Sequence, residues 1–422
     1  MVSILNKVTF AAIVSFLSVG CLFAQPEPPC AKTILETLEQ TAQLLNKKTS
    51  VDLWRVQLNA PVVIVNPAEN KMYFTAIANG KVEPLKEEAW DNKVPLANSF
   101  YEYNGKKYVT IIENALQYAP CNDRVNLLAH EIFHLHQNSL GINNTASNNF
   151  HIDGVSGRAL LQIEMAALQK ALTGDMQSLY NALYVRKYRQ SLSTDNNEDM
   201  YELNEGLANY TGIKLAIPDP RTEVTDALNY TISRGYANAF AYATGAAYAL
   251  ILDSISPAWR YDTDLLKGLP YLFAKHDKKY DITVTDDYVN RLLADNNFDA
   301  ILAKEQEELK SFGDVDAFRS LLLPETSKVF IPNNGVNFTY NPNDRIISLN
   351  DAVLLRNLTL KGEWGSAKIT SGIVRLNNWS AFYLLPPTEV NGNNAKGDNY
   401  EISLNDGWKL VEEENTWQIV SE

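Results

Sequence analysis

Two histidines and a glutamate in residues 130–134 form the pattern H-E-x-x-H. Residues four apart on a helix lie one turn above each other on the same face, so His130 and His134 can bind one Zn²⁺ together. Glu131 lies next to the first histidine, close enough to take a proton from a water on that metal. The pattern therefore predicts one zinc ion per chain, with Glu131 as the general base of a hydrolytic reaction.

The segment around this pattern has the periodicity of an amphipathic helix. We predict a helix over residues 123–139, with Asp123 as its N-cap. Its apolar residues recur at helical spacing, and they are Val125, Leu128, Ala129, Ile132 and Leu135. This stripe can be buried while the two histidines face a cleft. Because H-E-x-x-H fixes only three positions, chance matches are common, and the assignment depends on the helix and on a third ligand.

Catalytic zinc usually has three protein ligands and a fourth position for water or substrate. Three downstream glutamates compete for the third ligand position, and they are Glu164, Glu202 and Glu205. Glu164 lies among apolar residues, and a buried carboxylate there would need a partner such as Arg158 or a ligand histidine. Glu202 lies three residues before Glu205 on the same helical face, where it can support the site without binding the metal.

The segment around Glu205 resembles the gluzincin metallopeptidases, in which a glutamate on a second helix completes the zinc site. Asn204, Glu205, Ala208 and Asn209 are similar to the thermolysin-type motif Asn-Glu-x-x-Ser-Asp. The resemblance covers two short helices. It implies a zinc peptidase with Glu205 as third ligand and a peptide or protein as substrate. It also places Asn209 where an aspartate normally accepts a hydrogen bond from a zinc-bound histidine.

Such a hydrolase also needs a donor for the oxygen that gains charge in the transition state. The candidates are Tyr242, Tyr248, His151 and His276. Packing or a structural hydrogen bond explains each of them more simply. The sequence does not choose among them.

The N-terminus has the pattern of a secretory signal peptide. Lys7 precedes an apolar run over residues 8–23, which ends at the small residue Ala24. We therefore expect an exported protein, periplasmic or extracellular. An uncleaved membrane anchor is an alternative, although the run is short for a bilayer. A lipoprotein anchored through Cys21 is another. We expect no transmembrane segment after the signal is removed.

The composition restricts the partners of the chain. Its net charge is −13, and an acidic chain without basic clusters argues against binding to nucleic acid. Two cysteines, Cys30 and Cys121, remain after cleavage of the signal. In an oxidising compartment we expect a disulfide between them.

The order of predicted elements is that of an α+β fold. A helix over residues 29–47 is followed by a buried strand over 60–65 and by a hairpin, 99–103 and 108–112, that turns at Asn104-Gly105. Further helices are predicted over residues 157–172, 176–192, 198–217, 237–254, 285–296 and 299–310. Short alternating apolar runs after Pro324 indicate a β-sandwich.

These elements define three parts of the chain. We predict a signal peptide (1–24), a zincin-like and mostly helical metallopeptidase domain with a small N-terminal strand region (25–325), and a C-terminal all-β domain (326–422). Four of the seven tryptophans lie in the last part, and they are Trp364, Trp379, Trp408 and Trp417. Their rings suggest the alternative of an exported glycan- or surface-binding protein with an inactive peptidase-like domain. Packing within a small β domain explains the same rings.

Overall fold

The computed structural model describes residues 33–91, 93–193, 196–232, 235–277, 285–341, 344–349 and 351–422. The predicted signal peptide and Cys30 lie outside these residues. Cys121 takes part in a disulfide. Because Cys30 is not among the described residues, its pairing with Cys121 stays a prediction. The fold is α+β, as the sequence predicts, with strands and helices in the first part and strands alone at the end.

Within the residues that the structure describes, the helices lie before residue 321. The α-helices are α1 (Ile34–Leu45), α2 (Lys48–Trp54), α3 (Glu113–Tyr118), α4 (Cys121–Gln137), α5 (Val155–Leu172), α6 (Met176–Ser191), α7 (Glu198–Tyr201), α8 (Leu207–Ala216), α9 (Pro220–Thr231), α10 (Tyr236–Ile255), α11 (Leu269–His276), α12 (Asp286–Asp295), α13 (Phe298–Leu309) and α14 (Val315–Ser320). Between α7 and α8, one π-helical turn covers Glu202–Gly206. In the described residues, no helix is long and apolar enough to cross a membrane.

The strands form one sheet near the N-terminus and two near the C-terminus. They are β1 (Ala60–Asn66), β2 (Lys71–Ala78), β3 (Lys81–Val82), β4 (Lys86–Ala89), β5 (Ser99–Tyr103), β6 (Lys106–Ile112), β7 (Lys328–Pro332), β8 (Asn337–Tyr340), β9 (Ile347–Ser348), β10 (Ala352–Leu355), β11 (Leu358–Gly362), β12 (Gly365–Ile369), β13 (Ile373–Leu376), β14 (Ala381–Leu384), β15 (Glu389–Asn391), β16 (Asn394–Gly397), β17 (Tyr400–Leu404), β18 (Trp408–Glu413) and β19 (Thr416–Ser421).

The N-terminal sheet has the strand order β3-β2-β1-β6-β5, and β4 pairs with β2. β1 is parallel to β6, with Val62 opposite Val109. β5 and β6 form the predicted hairpin. Asn104 and Gly105 both have positive φ, 50° and 74°, as the two central residues of a type I′ turn require. This confirms the hairpin. It is followed directly by α3 and then by α4, the helix that contains the H-E-x-x-H pattern.

The helical body differs from the predicted elements at helix ends, in one interrupted helix and in several helices that were not predicted. α4 begins at Cys121 after Pro120, so Asp123 lies in the first turn and is not the N-cap. The helix predicted over 29–47 begins at Ile34 in the described residues, where Thr33 forms a capping box with Glu36. Five short helices were not predicted, and they are α2, α3, α9, α11 and α14. Asp219 caps α9 and Pro220 occupies its first turn. The helix predicted over 198–217 is interrupted by the π-helical turn Glu202–Gly206. α4 keeps its predicted course.

The C-terminal region is a sandwich of two sheets around a shared core. Their strand orders are β18-β19-β7-β14-β13-β10-β9 and β15-β16-β17-β12-β11-β8. Val329 and Phe382 of the first sheet pack in one cluster with Leu360 and Ile402 of the second. The four tryptophans contribute to packing. Trp364 is buried, Trp408 and Trp417 lie against this core, and Trp379 stacks on Phe338 with ring centroids 5.7 Å apart.

The helical body and the sandwich meet on both sides of the predicted boundary. Phe312, Phe318 and Leu321, which precede residue 325, lie in one apolar cluster with Leu354 and Val374 of the sandwich. The helical side of the boundary therefore packs on the face of the first sheet that points away from the sandwich core.

A buried ionic contact also joins the two parts. Arg345 donates from Nε to the carbonyl of Asp153, 2.9 Å away, and lies 3.3 Å from Glu305. Arg158 pairs with the same two acids from within the helical body. The Asp153 carboxylate also accepts from the backbone N–H groups of Tyr236 and Ala237. The sandwich is thus connected to the N-terminus of α10.

Candidate metal centre

The structure brings together the three predicted ligands. His130 and His134 lie one turn apart on α4, and their Nε2 atoms are 3.1 Å apart. Oε2 of Glu205 is 3.6 Å from Nε2 of His130 and 3.5 Å from Nε2 of His134. These three residues form a group whose ligand atoms all lie within 4.8 Å of one another. Two imidazoles and a carboxylate from two elements therefore converge on one point.

The spacing of these atoms fits zinc. Zinc binds nitrogen and oxygen at about 2.0–2.2 Å in tetrahedral geometry, which separates neighbouring ligand atoms by roughly 3.3 Å. The observed separations of 3.1, 3.5 and 3.6 Å lie around that value. Two histidines with one carboxylate are also a donor set that leaves a fourth position for water or substrate. The residues present fit the ion that the motif predicts.

The third candidate ligand, Glu205, lies in the π-helical turn Glu202–Gly206 (hereafter the π-turn). Within it, the N–H of Leu207 donates to the carbonyl of Glu202, five residues back. Single π-turns inside α-helices are rare and occur frequently at functional sites. The wider turn changes the relative orientation of side chains three residues apart. Glu202 and Glu205 therefore do not share the single face that an α-helix would give them.

Glu202 points away from the histidines into a buried ionic cluster. Its Oε1 accepts from Nη1 of Arg186 at 2.7 Å and from the hydroxyl of Thr244. Burial raises the pKa of Glu202 to about 7, although Arg186 opposes that shift. Glu202 thus connects the π-turn to Arg186 and Thr244 and does not contribute to the ligand group.

Glu164 is fully buried, as the sequence suggested, but its partners are not those expected. It pairs with Arg189 and lies 3.4 Å from Nη1 of Arg186. The hydroxyl of Tyr248 donates to it at 2.7 Å. Arg158, the partner suggested from sequence, instead pairs with Asp153 and Glu305. The carboxylate therefore belongs to the same ionic cluster as Glu202 and is not a metal ligand.

Three of the four proposed transition-state donors lie in other contacts. Tyr248 is bound to Glu164. His151 lies 2.8 Å from Glu198, which also pairs with Arg189. His276 lies 3.0 Å from Asp262. Structural contacts thus account for these three residues.

Tyr242 is the candidate that lies in the site. Its ring stacks on that of His130, with centroids 5.6 Å apart and planes 9° apart. Burial raises the pKa of Tyr242 well above its usual value, and the carboxylates of Glu205 and Glu131 raise it further. The hydroxyl therefore stays protonated, and its hydrogen bond with Glu205 contributes to the raised pKa.

The buried acids and histidines strongly affect each other's pKa values. Burial raises the pKa of Glu131, while His130 and His134 oppose that shift. Burial also opposes the charge of Glu205, but His134 and His130 outweigh it and hold its pKa well below the usual range. Burial would lower the pKa of His134, yet Glu205 raises it to about 9.

Asn209 does not contact a ligand histidine in the way the resemblance implies. Its Nδ2 donates to the backbone carbonyl of Tyr242 at 2.7 Å, and its buried Oδ1 has no hydrogen-bond partner among the described residues. The ring of His134 instead contacts Gln137, with 2.7 Å between Nδ1 and Oε1. Gln137 was not among the residues predicted from the sequence. The available signal was a polar residue one helical turn after the second histidine, on the same face.

A pocket lies between the β5–β6 hairpin and the end of α4. Its lining includes Phe100 and Lys107 of the hairpin, His134 and Asn138 of the helix side, and Asn144 of the following loop. In the described part of the chain, β5 is the last strand of its sheet on this side. An edge strand and a pocket therefore flank the candidate ligands.

No family model, curated protein or solved structure matches this chain. The resemblance to gluzincins therefore rests on the H-E-x-x-H segment, on the segment around Glu205 and on the geometry that joins them.

Proposed function

We propose that the chain is an exported zinc metallopeptidase of the gluzincin type, which hydrolyses peptide bonds. His130, His134 and Glu205 hold one zinc ion, and Glu131 is the general base. The observation that carries the proposal is the convergence of three ligand atoms within 4.8 Å, from two separate segments of the chain, next to a buried glutamate.

The protonation behaviour of Glu131 supports its role. Zinc in such a ligand set polarises a carbonyl group and lowers the pKa of a bound water. Glu131 takes the proton of the attacking water and passes it to the leaving amine. Burial raises the pKa of this carboxyl, which brings it closer to the pH at which it must both accept and release a proton.

Tyr242 is proposed as the donor to the carbonyl oxygen of the substrate. That oxygen gains negative charge as the water attacks, and a fixed hydrogen-bond donor stabilises the charge. The stacking of Tyr242 on His130 fixes its ring beside the ligands. The raised pKa of Tyr242 keeps the proton on the hydroxyl.

The hairpin supports a peptide as the substrate. An extended peptide can pair with an exposed edge strand through backbone hydrogen bonds, while pockets accept its side chains. β5 offers such an edge, and the pocket lined by Phe100 and Lys107 reaches His134. A peptide paired with β5 would therefore pass the candidate ligands.

The test combines metal analysis with digestion of a broad peptide library. Purified protein is expected to contain one zinc per chain and to cleave peptides; a chelator abolishes cleavage and added zinc restores it. Glu205→Ala is expected to lose both properties, and replacement of the exposed Glu307 by alanine is expected to change neither. Wild-type protein that binds no zinc, or that binds zinc but cleaves no member of the library, would overturn the proposal.

A further inference from the structure

Gln137 is the last residue of α4 and lies one helical turn after His134. Its side chain is buried, with 2% of its surface exposed. Oε1 lies 2.7 Å from Nδ1 of His134. Nε2 lies 2.6 Å from the carbonyl oxygen of Asn204 and 3.2 Å from that of Leu203. One amide group thus contacts a candidate ligand and the turn that carries another.

The two carbonyl contacts determine the orientation of this amide. A backbone carbonyl can only accept a hydrogen bond, so the NH₂ group of Gln137 must face Leu203 and Asn204. Its oxygen then faces His134 and must accept. Nδ1 of His134 therefore carries a hydrogen, whether the ring is neutral or charged. The nitrogen that faces His130 and Glu205 is Nε2, which is the atom that a metal would need.

The same side chain connects to the third ligand through the π-turn. The carbonyls that accept from Gln137 belong to the two residues directly before Glu205. The side chain of Asn204 in turn donates to Oε1 of Glu205 at 2.9 Å. The other oxygen of Glu205, Oε2, faces the two histidines. A continuous series of hydrogen bonds thus runs from His134 through Gln137 and Asn204 to Glu205.

We infer that Gln137 is a positioning residue with two effects. It fixes the ring of His134 with Nε2 towards the metal, and it holds the π-turn so that Glu205 reaches the same metal. This inference rests on the proposed function. It differs from a purely structural role, in which Gln137 would join two helices without affecting the ligands. Outer hydrogen bonds to ligand histidines typically change metal affinity 10–100-fold when they are removed.

The experiment compares three variants of the full chain by competition with a zinc chelator. Gln137→Met keeps the length of the side chain and removes all three hydrogen bonds, so zinc affinity is expected to fall about 10–100-fold. Gln137→Glu keeps the acceptor for His134 and loses the donors, so it is expected to bind zinc more tightly than the methionine variant. Gln162→Met, which removes a contact with Glu305 away from the site, is expected to bind zinc as the wild type does.

A second measurement does not depend on zinc. In protein labelled with ¹⁵N at its five histidines, the His134 ring is assigned by loss of its signals in His134→Gln. A protected Nδ1–H proton is expected in the wild type and absent in Gln137→Met. If wild-type protein bound no zinc, the proposed function would fail, and this signal would still decide whether Gln137 orients His134.

Three results would overturn the inference. One is Gln137→Met protein that binds zinc as tightly as the wild type. Another is a glutamate variant that binds no better than the methionine variant. The third is a wild-type His134 ring with its hydrogen on Nε2 and none on Nδ1. If the methionine variant does not fold, as judged by circular dichroism, the position of the hydrogen on the wild-type His134 ring decides the inference alone.

Discussion

Gly206 of the π-turn and Gly245 of α10 lie in backbone contact: a Cβ added to Gly245 would be 2.7 Å from Cα of Gly206, and one added to Gly206 would be 2.8 Å from Cα of Gly245. Real Cβ atoms essentially never approach so closely. Glu205 lies directly before the first glycine, and Tyr242 lies one helical turn before the second. The pair of glycines therefore sets the distance between the third candidate ligand and the stacked tyrosine.

Gly245→Ala is expected to weaken both the fold and the candidate metal site. Added atoms in a close-packed core typically cost 1–3 kcal/mol, and here a movement of either segment displaces Glu205 or Tyr242. We expect lower stability in denaturant and weaker zinc binding in the same sample. Alanine is otherwise the better helix former by about 1 kcal/mol. A variant that is more stable and binds zinc normally would show that the contact between the glycines constrains neither the fold nor the candidate site.

Arg186 is expected to be essential for stability. It is buried, lies 2.7 Å from Glu202 and 2.8 Å from Asp199, and also contacts Glu164. Replacing it with methionine would leave Glu202 and Glu164 buried with less compensating charge. Removal of one partner from a buried pair typically costs about 3–5 kcal/mol. Unfolding in denaturant, monitored by circular dichroism, measures that loss.

Lys310→Met provides the matched control for Arg186. It removes the ion pair with Glu307, in which both side chains are 72% exposed. Exposed pairs contribute little because water and salt screen them, so no measurable loss is expected. Equal losses in the two variants would mean that the buried cluster contributes no more to stability than an exposed ion pair does.

The sequence was informative where short-range pattern determines structure. The H-E-x-x-H spacing needs only the period of an α-helix, and α4 supplies it. The Asn104-Gly105 hairpin needs only two residues that tolerate positive φ. The α+β class followed from the order of such elements and is confirmed. The three candidate ligands were found because each lies in a short motif.

The features that were missed depend on contacts between distant segments. The π-turn accompanies the pairing of Glu202 with Arg186 and the close approach of Gly206 to Gly245, neither of which a local pattern contains. Arg186 lies in α6, where a charged residue suggests a solvent-exposed face. Gln137 gains its role from carbonyls more than sixty residues away. The partners of such residues become visible only after the helices are packed.

Glu223 is expected to make stability depend on pH. Burial raises its pKa to about 7, and Asp123 and Asp226 add to the shift. Between about pH 4.5 and 7 the folded protein holds a proton on Glu223 that the unfolded chain has lost. The contribution of this proton to the free energy of unfolding is therefore complete below about pH 4.5 and is lost as pH rises through 7.

Glu223→Gln should remove this contribution. The difference in unfolding free energy between variant and wild type is expected to change with a slope of at most about 1.4 kcal/mol per pH unit, since one proton is involved. Denaturant unfolding at several values between pH 4.5 and 7.5 measures it. The same replacement at the exposed Glu39 is the control. A pH-independent difference for Glu223→Gln would contradict the assignment.

Replacement of Glu131 by glutamine tests the central claim most directly, with zinc content and peptide hydrolysis measured on the same purified protein beside the wild type. The swap keeps the size of the side chain and removes its ability to take a proton, while His130, His134 and Glu205 stay in place. We predict one zinc per chain in both proteins and a loss of hydrolysis of about 10²–10⁴-fold in the variant, the usual contribution of a general base. Hydrolysis by Glu131→Gln at the wild-type rate would contradict the account.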